Sequence, residues 1–140
     1  MTEPTTAETR TLVFERVLPH PPAKVWRALT ESDLIEQWLM KNDFKPSKGH
    51  KFQLHWSNGG WSGVVDSEVL TLTPDQQLSY RWDSMGVVSI VTWTLTPTEG
   101  GTHLRMEQTG FKADDAQSYE GAKYGWSGYL EGLERVLANL

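Results

Sequence analysis

The sequence predicts a single α+β domain in which a curved antiparallel sheet of about six or seven strands wraps around a long C-terminal helix. Its 140 residues suit one domain better than two. Between residues 50 and 109, apolar and polar residues alternate in short runs separated by turn-forming residues, which is typical of an antiparallel meander. After residue 115 the apolar residues recur at the spacing of an amphipathic helix.

The N-terminal part predicts a tail and one strand. Residues 1–10 are polar and predict a frayed tail, so the single domain is expected to span residues 11–140. Residues 11–18 predict the first strand. Pro19 and Pro22 end this strand, because proline cannot donate a hydrogen bond to a neighbouring strand.

Two short helices are predicted after the first strand. Proline suits the first turn of a helix, and Val25 and Leu29 follow at helical spacing. Thr30 and Asp33 resemble a capping box, which predicts the start of a second short helix. The apolar side of this second helix includes Trp38.

Five further strands are predicted from the alternation of side chains. In the first of them, Phe52, Leu54 and Trp56 alternate with polar residues, which indicates a strand with one buried face. The connections between the strands are short and rich in glycine, which favours antiparallel neighbours. The strands are predicted at residues 50–56, 61–73, 78–83, 87–96 and 102–109.

The last helix is predicted to pack on the sheet by one broad apolar arc. Asp114 and Asp115 offer N-terminal caps and negative charge at its start. At about 100° per residue, the polar side chains fall on the opposite side. The arc contains Tyr119, Ala122, Trp126, Tyr129, Leu130, Leu133, Val136, Leu137 and Leu140.

A stripe of glycines runs beside that arc, at Gly121, Gly125, Gly128 and Gly132. Each glycine costs about 1 kcal/mol relative to alanine inside a helix, so four of them indicate a structural use. Either a neighbouring backbone approaches the helix closely, which is the commoner use, or the missing side chains leave a void between helix and sheet. In the second case, a bulky residue at Gly125 or Gly128 would fill the void.

The order of these elements and several local motifs resemble the START-like (SRPBCC) proteins. The motifs are PAKVWRALT at residues 22–30 followed by Trp38, residues 69–74 followed by LSYRW at 78–82, VTWTL at 91–95 followed by EGGTHL at 99–104, Gly110 with Phe111, and Gly125 with Trp126, Leu130 and Leu133. Together they resemble most the branch of homologues of the activator of heat-shock-protein-90 ATPase, over about residues 11–138. The resemblance implies a helix-grip fold, and it adds a chaperone to the partners to be considered.

Composition and motifs argue against several classes of function. The sequence has no cysteine, no His-x-x-x-His pattern and no Gly-x-Ser-x-Gly, so we expect no metal site, no cofactor and no nucleophilic triad. The net charge of −5 without a basic cluster argues against a nucleic-acid partner. No apolar run approaches the roughly 18 residues of a membrane helix, and the first residues lack a signal-peptide pattern. We therefore expect a cytoplasmic protein without stable membrane insertion.

Asp66 and Glu68 form the one pair of carboxylates considered for acid–base catalysis. They lie two residues apart in a predicted strand and therefore share a face. In this strand, apolar residues occur at both odd-numbered and even-numbered positions, which indicates a bend near Gly63 or Ser67, or a bulge. A bulge that turned Glu68 inward would make it a candidate acid or base. A solvated outer face is the commoner place for such a pair.

Two polar residues share a strand face with apolar neighbours. Gln108 is in register with Met106, and Tyr80 is in register with Trp82. Each could give a ligand one oriented hydrogen bond inside an apolar cavity, or each could be satisfied within the core. Both alternatives stay open at this point.

Seven tryptophans in 140 residues indicate either a dense core or an aromatic-lined cavity. Our first hypothesis is a protein that binds a small apolar or aromatic molecule between the sheet and the last helix. The alternatives are a co-chaperone-like protein-interaction module, which the resemblance implies, and a cyclase- or hydrolase-like enzyme on polyketide-like substrates. The lack of a clear inward acid–base pair argues against the enzyme. The predicted ligand-binding residues are Trp26, Trp38, Phe52, Trp56, Tyr80, Trp82, Trp93, Met106, Gln108, Trp126 and Leu130.

Overall fold

The computed structural model describes residues 9–58, 60–84, 87–112 and 116–140. In chain order its elements are β1 (Thr9–Leu18), α1 (Pro22–Thr30), α2 (Ser32–Trp38), β2 (Lys41–Asn42), β3 (Lys51–Asn58), β4 (Trp61–Thr73), β5 (Gln77–Ser84), β6 (Val87–Thr98), β7 (Gly101–Lys112) and α3 (Ala116–Ala138). This is the predicted order of a strand, two short helices, a meander and a long helix.

The strands form one antiparallel sheet in the order β1-β7-β6-β5-β4-β3-β2. The predicted curved sheet with a C-terminal helix is therefore confirmed. β1 begins at Thr9, inside the predicted tail, and β3, β5, β6 and β7 extend past their predicted bounds. The two-residue β2 was not predicted. The rest of the tail, residues 1–8, and the predicted caps at 114 and 115 lie outside the described residues.

The core fills the concave side of the sheet. On β7 the inward residues Leu104, Met106 and Gln108 are buried, while the residues between them are partly exposed. Leu133 and Leu137 of α3 are also buried, as the apolar arc predicts. Among the described residues, no helix combines the length and the apolar character that crossing a membrane would require.

The junction between α1 and α2 differs from the prediction. The Thr30 hydroxyl donates to the carbonyl oxygen of Trp26 at 2.7 Å, in the last turn of α1. The N-cap of α2 is Glu31, which makes no side-chain capping bond. The predicted capping box at Thr30 is therefore wrong, because the threonine hydroxyl reaches back to the preceding turn instead of forward.

Two bulges decide which side chains face the core. In β4 the register shifts between Val69 and Thr71, so the bulge comes after the carboxylates, and Asp66 and Glu68 stay on the outer face. In β7 the extra residue is Gly110, whose φ of 110° is favoured only by glycine. This second bulge turns the next residue, Phe111, into the core.

The two halves of α3 contact the rest of the protein differently. In the second half, a Cβ at Gly132 would lie 3.4–3.5 Å from the Cβ, Cα and carbonyl oxygen of Trp38, so helix α2 sits directly on the glycine. In the first half, a Cβ at Gly121 would meet no atom within 4 Å. The close-packing interpretation therefore holds for one end of the stripe, and the void holds for the other.

The packing at Gly132 yields a prediction about stability. We expect Gly132→Leu to lower the free energy of unfolding by about 1–3 kcal/mol, because the larger side chain must displace α2. Gly128→Leu, at an exposed position with no atom near the added Cβ, is the matched control and should raise stability by up to about 1 kcal/mol through helix propensity. Urea unfolding measures both. Equal stability of the two variants would contradict the close packing of α2 on Gly132.

Candidate functional site

A cavity of about 500 Å³ lies between the first half of α3 and the sheet. We call it the tryptophan lobe. Its sheet side is formed by Met40, Trp56, Ser57, Val65, Trp82, Ser84 and Gln108, and its helix side by Gly121, Ala122, Gly125, Trp126 and Tyr129.

A second space of about 550 Å³ adjoins the first toward the start of α3. We call it the N-terminal lobe. The two lobes share Trp82, Ser84, Gln108, Gly121 and Ala122, so they form one bilobed cavity. The N-terminal lobe adds Val87, Phe111, Gln117 and Ser118.

The glycines of α3 explain why this space exists. At Gly121 nothing lies within 4 Å of an added Cβ, and at Gly125 the nearest atom is a ring carbon of Tyr129 at 3.9 Å. Gly128 is exposed and does not line the cavity, so the expectation that it borders the void is wrong. Because Gly121 and Gly125 have no side chain, the helix backbone borders the cavity at these two positions.

Aromatic rings from both the sheet and the helix line the tryptophan lobe. The rings of Trp82 and Trp126 lie 5.1 Å apart between centroids, and Trp126 meets Tyr129 edge-on at 5.6 Å. Trp56 lies over Gly63 of β4, where a Cβ would overlap the indole. Such rings offer a ligand broad apolar surfaces whose positions the neighbouring residues hold.

A chain of buried hydrogen bonds crosses the wall of the cavity. The Trp126 indole N–H donates to Gln108 Oε1 at 2.7 Å, and Gln108 Nε2 donates to Ser89 Oγ at 2.9 Å. The Ser89 hydroxyl in turn donates to the carbonyl oxygen of Trp82 at 2.6 Å. Gln108 is thus both a satisfied core group and part of the cavity surface.

Comparison with known proteins places this chain in a family. The family described as Activator of Hsp90 ATPase homolog 1-like protein matches residues 19–138 of the chain. The chain belongs to this family. The resemblance predicted from the sequence motifs is thereby confirmed. No curated protein matches the chain.

Solved structures share the fold over nearly the whole chain. Protein MLL2253 from Mesorhizobium loti is 51% identical, with a TM-score of 0.87, over 93% of this chain and 98% of that one. DynU16, from the dynemicin biosynthetic locus, is 25% identical with a TM-score of 0.80; the match covers 91% of this chain but 47% of DynU16. CalU16 from Micromonospora echinospora is 23% identical with a TM-score of 0.79, over 98% of this chain and 81% of that one, and this likeness shows the fold alone.

The predicted ligand-binding residues divide into two groups in this family member. Trp56, Trp82, Gln108 and Trp126 line the cavity. The others belong to the core or pack against it: Trp26, Trp38, Phe52, Tyr80, Trp93, Met106 and Leu130. That the first group contacts a ligand stays a prediction.

The sequence interpretation missed several lining residues. Tyr129 follows Trp126 by three residues on the same apolar arc, so helical spacing could have identified it. Met40 and Ser84 follow the ends of predicted elements and carry no such signal. Phe111 reaches the N-terminal lobe only because of the Gly110 bulge, which alternation of side chains does not reveal.

The described lining of the cavity contains one titratable side chain. This is Tyr129, and its partial burial raises the pKa of its hydroxyl, so the group is neutral at pH 7. The carboxylates of Asp66 and Glu68 lie on the outer face of the sheet, where Asp66 Oδ1 accepts a 2.9 Å hydrogen bond from Gln53. The arrangement therefore gives the cavity neutral hydrogen-bonding groups and no acid–base pair among the described residues.

A wider groove of about 840 Å³ lies elsewhere on the surface, beside Pro21 and the turn between β4 and β5. Its described lining includes no aromatic side chain, whereas both lobes of the bilobed cavity have aromatic residues. We therefore place the candidate site at the bilobed cavity.

Tyr80 yields a prediction about alkaline stability. Its hydroxyl is buried and accepts a 2.9 Å hydrogen bond from the Trp93 indole, and burial raises its pKa far above the ordinary value of 10.0. The protonated Tyr80 hydroxyl contributes its full stabilising effect below pH 10. Above pH 10 the free energy of unfolding falls by about 1.4 kcal/mol per pH unit, because the unfolded state releases the proton first. We expect Tyr80→Phe to cost about 1–3 kcal/mol near pH 8, because the Trp93 N–H loses its acceptor, and to weaken the alkaline decline.

Urea unfolding between about pH 8 and pH 11 measures both effects. Tyr124→Phe, at an exposed tyrosine, is the control and should follow the unmodified protein. Equal alkaline slopes for Tyr80→Phe and the unmodified protein would show that the hydroxyl is not protected by burial.

Proposed function

We propose that the protein binds a small apolar or aromatic molecule in the bilobed cavity. The observation that carries the proposal is the cavity of about 500 Å³ lined by Gly121, Gly125 and Trp82. A core selected for stability alone would fill such a space, because protein interiors are close-packed. A concave apolar site of several hundred Å³ with few polar groups is typical of small-molecule binding.

Burial of the ligand's apolar surface would supply most of the binding energy. At about 25 cal/mol per Å², a ligand that buries about 200 Å² would gain roughly 5 kcal/mol, before the cost of immobilising it is subtracted. The aromatic rings are already held by contacts with one another and by the hydrogen bond from Trp126 to Gln108, so little ordering is needed on binding.

Binding is favoured over catalysis by the character of the lining. A cyclase or hydrolase needs a general acid or base near the reacting atoms, and the neutral Tyr129 is the one titratable group on the described lining. The similarity to DynU16, from a biosynthetic locus, supports a small molecule as the ligand. An enzyme acting on a polyketide-like substrate remains the alternative within this class of ligand.

A co-chaperone role is the second candidate, because the family description names an activator of Hsp90 ATPase. The protein surface supports a co-chaperone role less strongly than the cavity supports ligand binding. Among the residues that the structure describes, the most exposed large apolar ones, Val17, Val88 and Tyr124, lie on three different elements. Stimulation of a chaperone ATPase, together with no binding of any small molecule, would favour this second candidate.

The void beside α3 yields a prediction about binding. In a screen of fatty acids, lipids, flavonoid-like aromatics and polyketide-like rings, we expect saturable shifts of the indole N–H signals of Trp56, Trp82 and Trp126. Gly125→Leu should weaken the binding of any such compound at least tenfold, because the leucine occupies the space that the ligand needs. NMR titration on the tryptophan indole signals measures both.

Gly128→Leu is the matched control, since it makes the same change one helical turn away at an exposed position outside the cavity. It should bind the same compounds with unchanged affinity. Both replacements improve helix propensity, so unfolding should not explain a loss of binding. Unchanged affinity in a folded Gly125→Leu variant would refute binding at this cavity.

A further inference from the structure

The direction of every hydrogen bond around Gln108 is fixed by chemistry. An indole N–H can only donate, so the oxygen of Gln108 faces Trp126 and its nitrogen faces Ser89. At the other end, the carbonyl oxygen of Trp82 can only accept, so the Ser89 hydroxyl donates to it. Ser89 must therefore accept from Gln108, and the amide of Gln108 has one possible orientation.

Gln108 keeps one donor for which no described residue is an acceptor. The amide nitrogen carries two hydrogens, and one of them is taken by Ser89. Gln108 is 2% exposed and lines both lobes, so the second N–H is available to a molecule in the cavity. A ligand oxygen that accepts from it would add one net hydrogen bond to the binding.

The same lining excludes a charged acid group on the ligand. Neither lobe has a lysine, arginine or histidine among its described lining residues. An ionised carboxylate buried in the cavity would lose its water without gaining a cation, which disfavours its binding. A carbonyl oxygen carries no net charge and matches a single neutral donor.

The lining of the tryptophan lobe favours a flat molecule. It carries four aromatic rings, among them Trp56 and Trp82, and α3 has no side chain at Gly121 and Gly125. Fused rings fill such a space and stack on the aromatic surfaces better than a flexible chain does.

Building on the proposed function, we infer that the ligand is a planar, fused-ring compound without an ionised acid group, and that its carbonyl oxygen accepts a hydrogen bond from the free N–H of Gln108. This assigns Gln108 as the residue that determines specificity. It also predicts discrimination against fatty acids and other carboxylates.

Three compounds with one ring skeleton test the inference on the unmodified protein. They are fluorene, fluorenone, which replaces the CH₂ of fluorene with a carbonyl, and fluorenone-2-carboxylate. We expect fluorenone to bind about threefold to tenfold more tightly than fluorene, the gain of one net hydrogen bond. We expect the carboxylate to bind at least tenfold more weakly than fluorenone. The side-chain amide protons of Gln108 should shift with fluorenone and stay in place with fluorene.

Gln108→Met, which keeps the length of the side chain and removes both its donor and the oxygen that accepts from Trp126, should abolish the preference for fluorenone over fluorene. The ratio of the two affinities is the readout, because a general loss of stability would weaken the binding of both compounds. If the variant does not fold, the Gln108 amide shifts of the unmodified protein decide the question.

The outcomes separate this inference from the proposed function. If both compounds bind but fluorene binds as tightly as fluorenone, the role of Gln108 is refuted and ligand binding stands. If the carboxylate binds as tightly as fluorenone, the exclusion of acid groups is refuted. If neither fluorene nor fluorenone binds, the inference is refuted, and failure of the wider screen as well would refute the proposed function.

Discussion

The buried indole N–H of Trp126 is the constraint on which the rest of the site depends. A buried donor must find an acceptor, and this one finds Gln108 on β7 at 2.7 Å. The bond holds the middle of α3 at a fixed distance from the sheet. Beyond it, toward the C-terminus, Gly132 lets α2 come into contact with the helix. Before it, Gly121 and Gly125 face open space, so one hydrogen bond separates a packed half of the helix from a half that covers the cavity.

The tryptophans have different roles because of what faces them. Trp38 and Trp93 pack edge-to-face at 5.8 Å, and their indole N–H groups donate to the Ala28 carbonyl and to Tyr80. All their surroundings are filled, so they stabilise the core. Trp82 points to the same side of the sheet, where its ring meets Trp126 of α3 on one side and borders the space beside Gly121 and Ala122 on the other. The side chains of the helix, and not those of the sheet, therefore decide where the core ends and the cavity begins.

The sequence predicts the faces of the strands better than it predicts the volumes between them. Alternation along β7 predicts correctly that Met106 and Gln108 point inward. It does not show that Met106 is enclosed while Gln108 borders a cavity, because that difference comes from residues distant in sequence. Local irregularities are missed for a related reason. The bulges at residues 70 and 110 depend on how neighbouring strands pair, which no single strand encodes. The glycine stripe and the seven tryptophans were the sequence signals that allowed for a cavity, and of the stripe Gly125 lines it whereas Gly132 packs against α2.

The sheet also separates charge from the cavity, and this separation constrains the kind of recognition that is available. Because the β4 bulge follows Val69, the carboxylates of Asp66 and Glu68 stay outside, and the described lining keeps only neutral polar groups. A glutamine suits such a site because its amide has more hydrogen-bonding capacity than the core uses. Trp126 and Ser89 fix its orientation, so a ligand meets a donor already held in place and need not break the internal chain. Selectivity at this cavity would therefore come from ring shape and the position of one acceptor, rather than from charge.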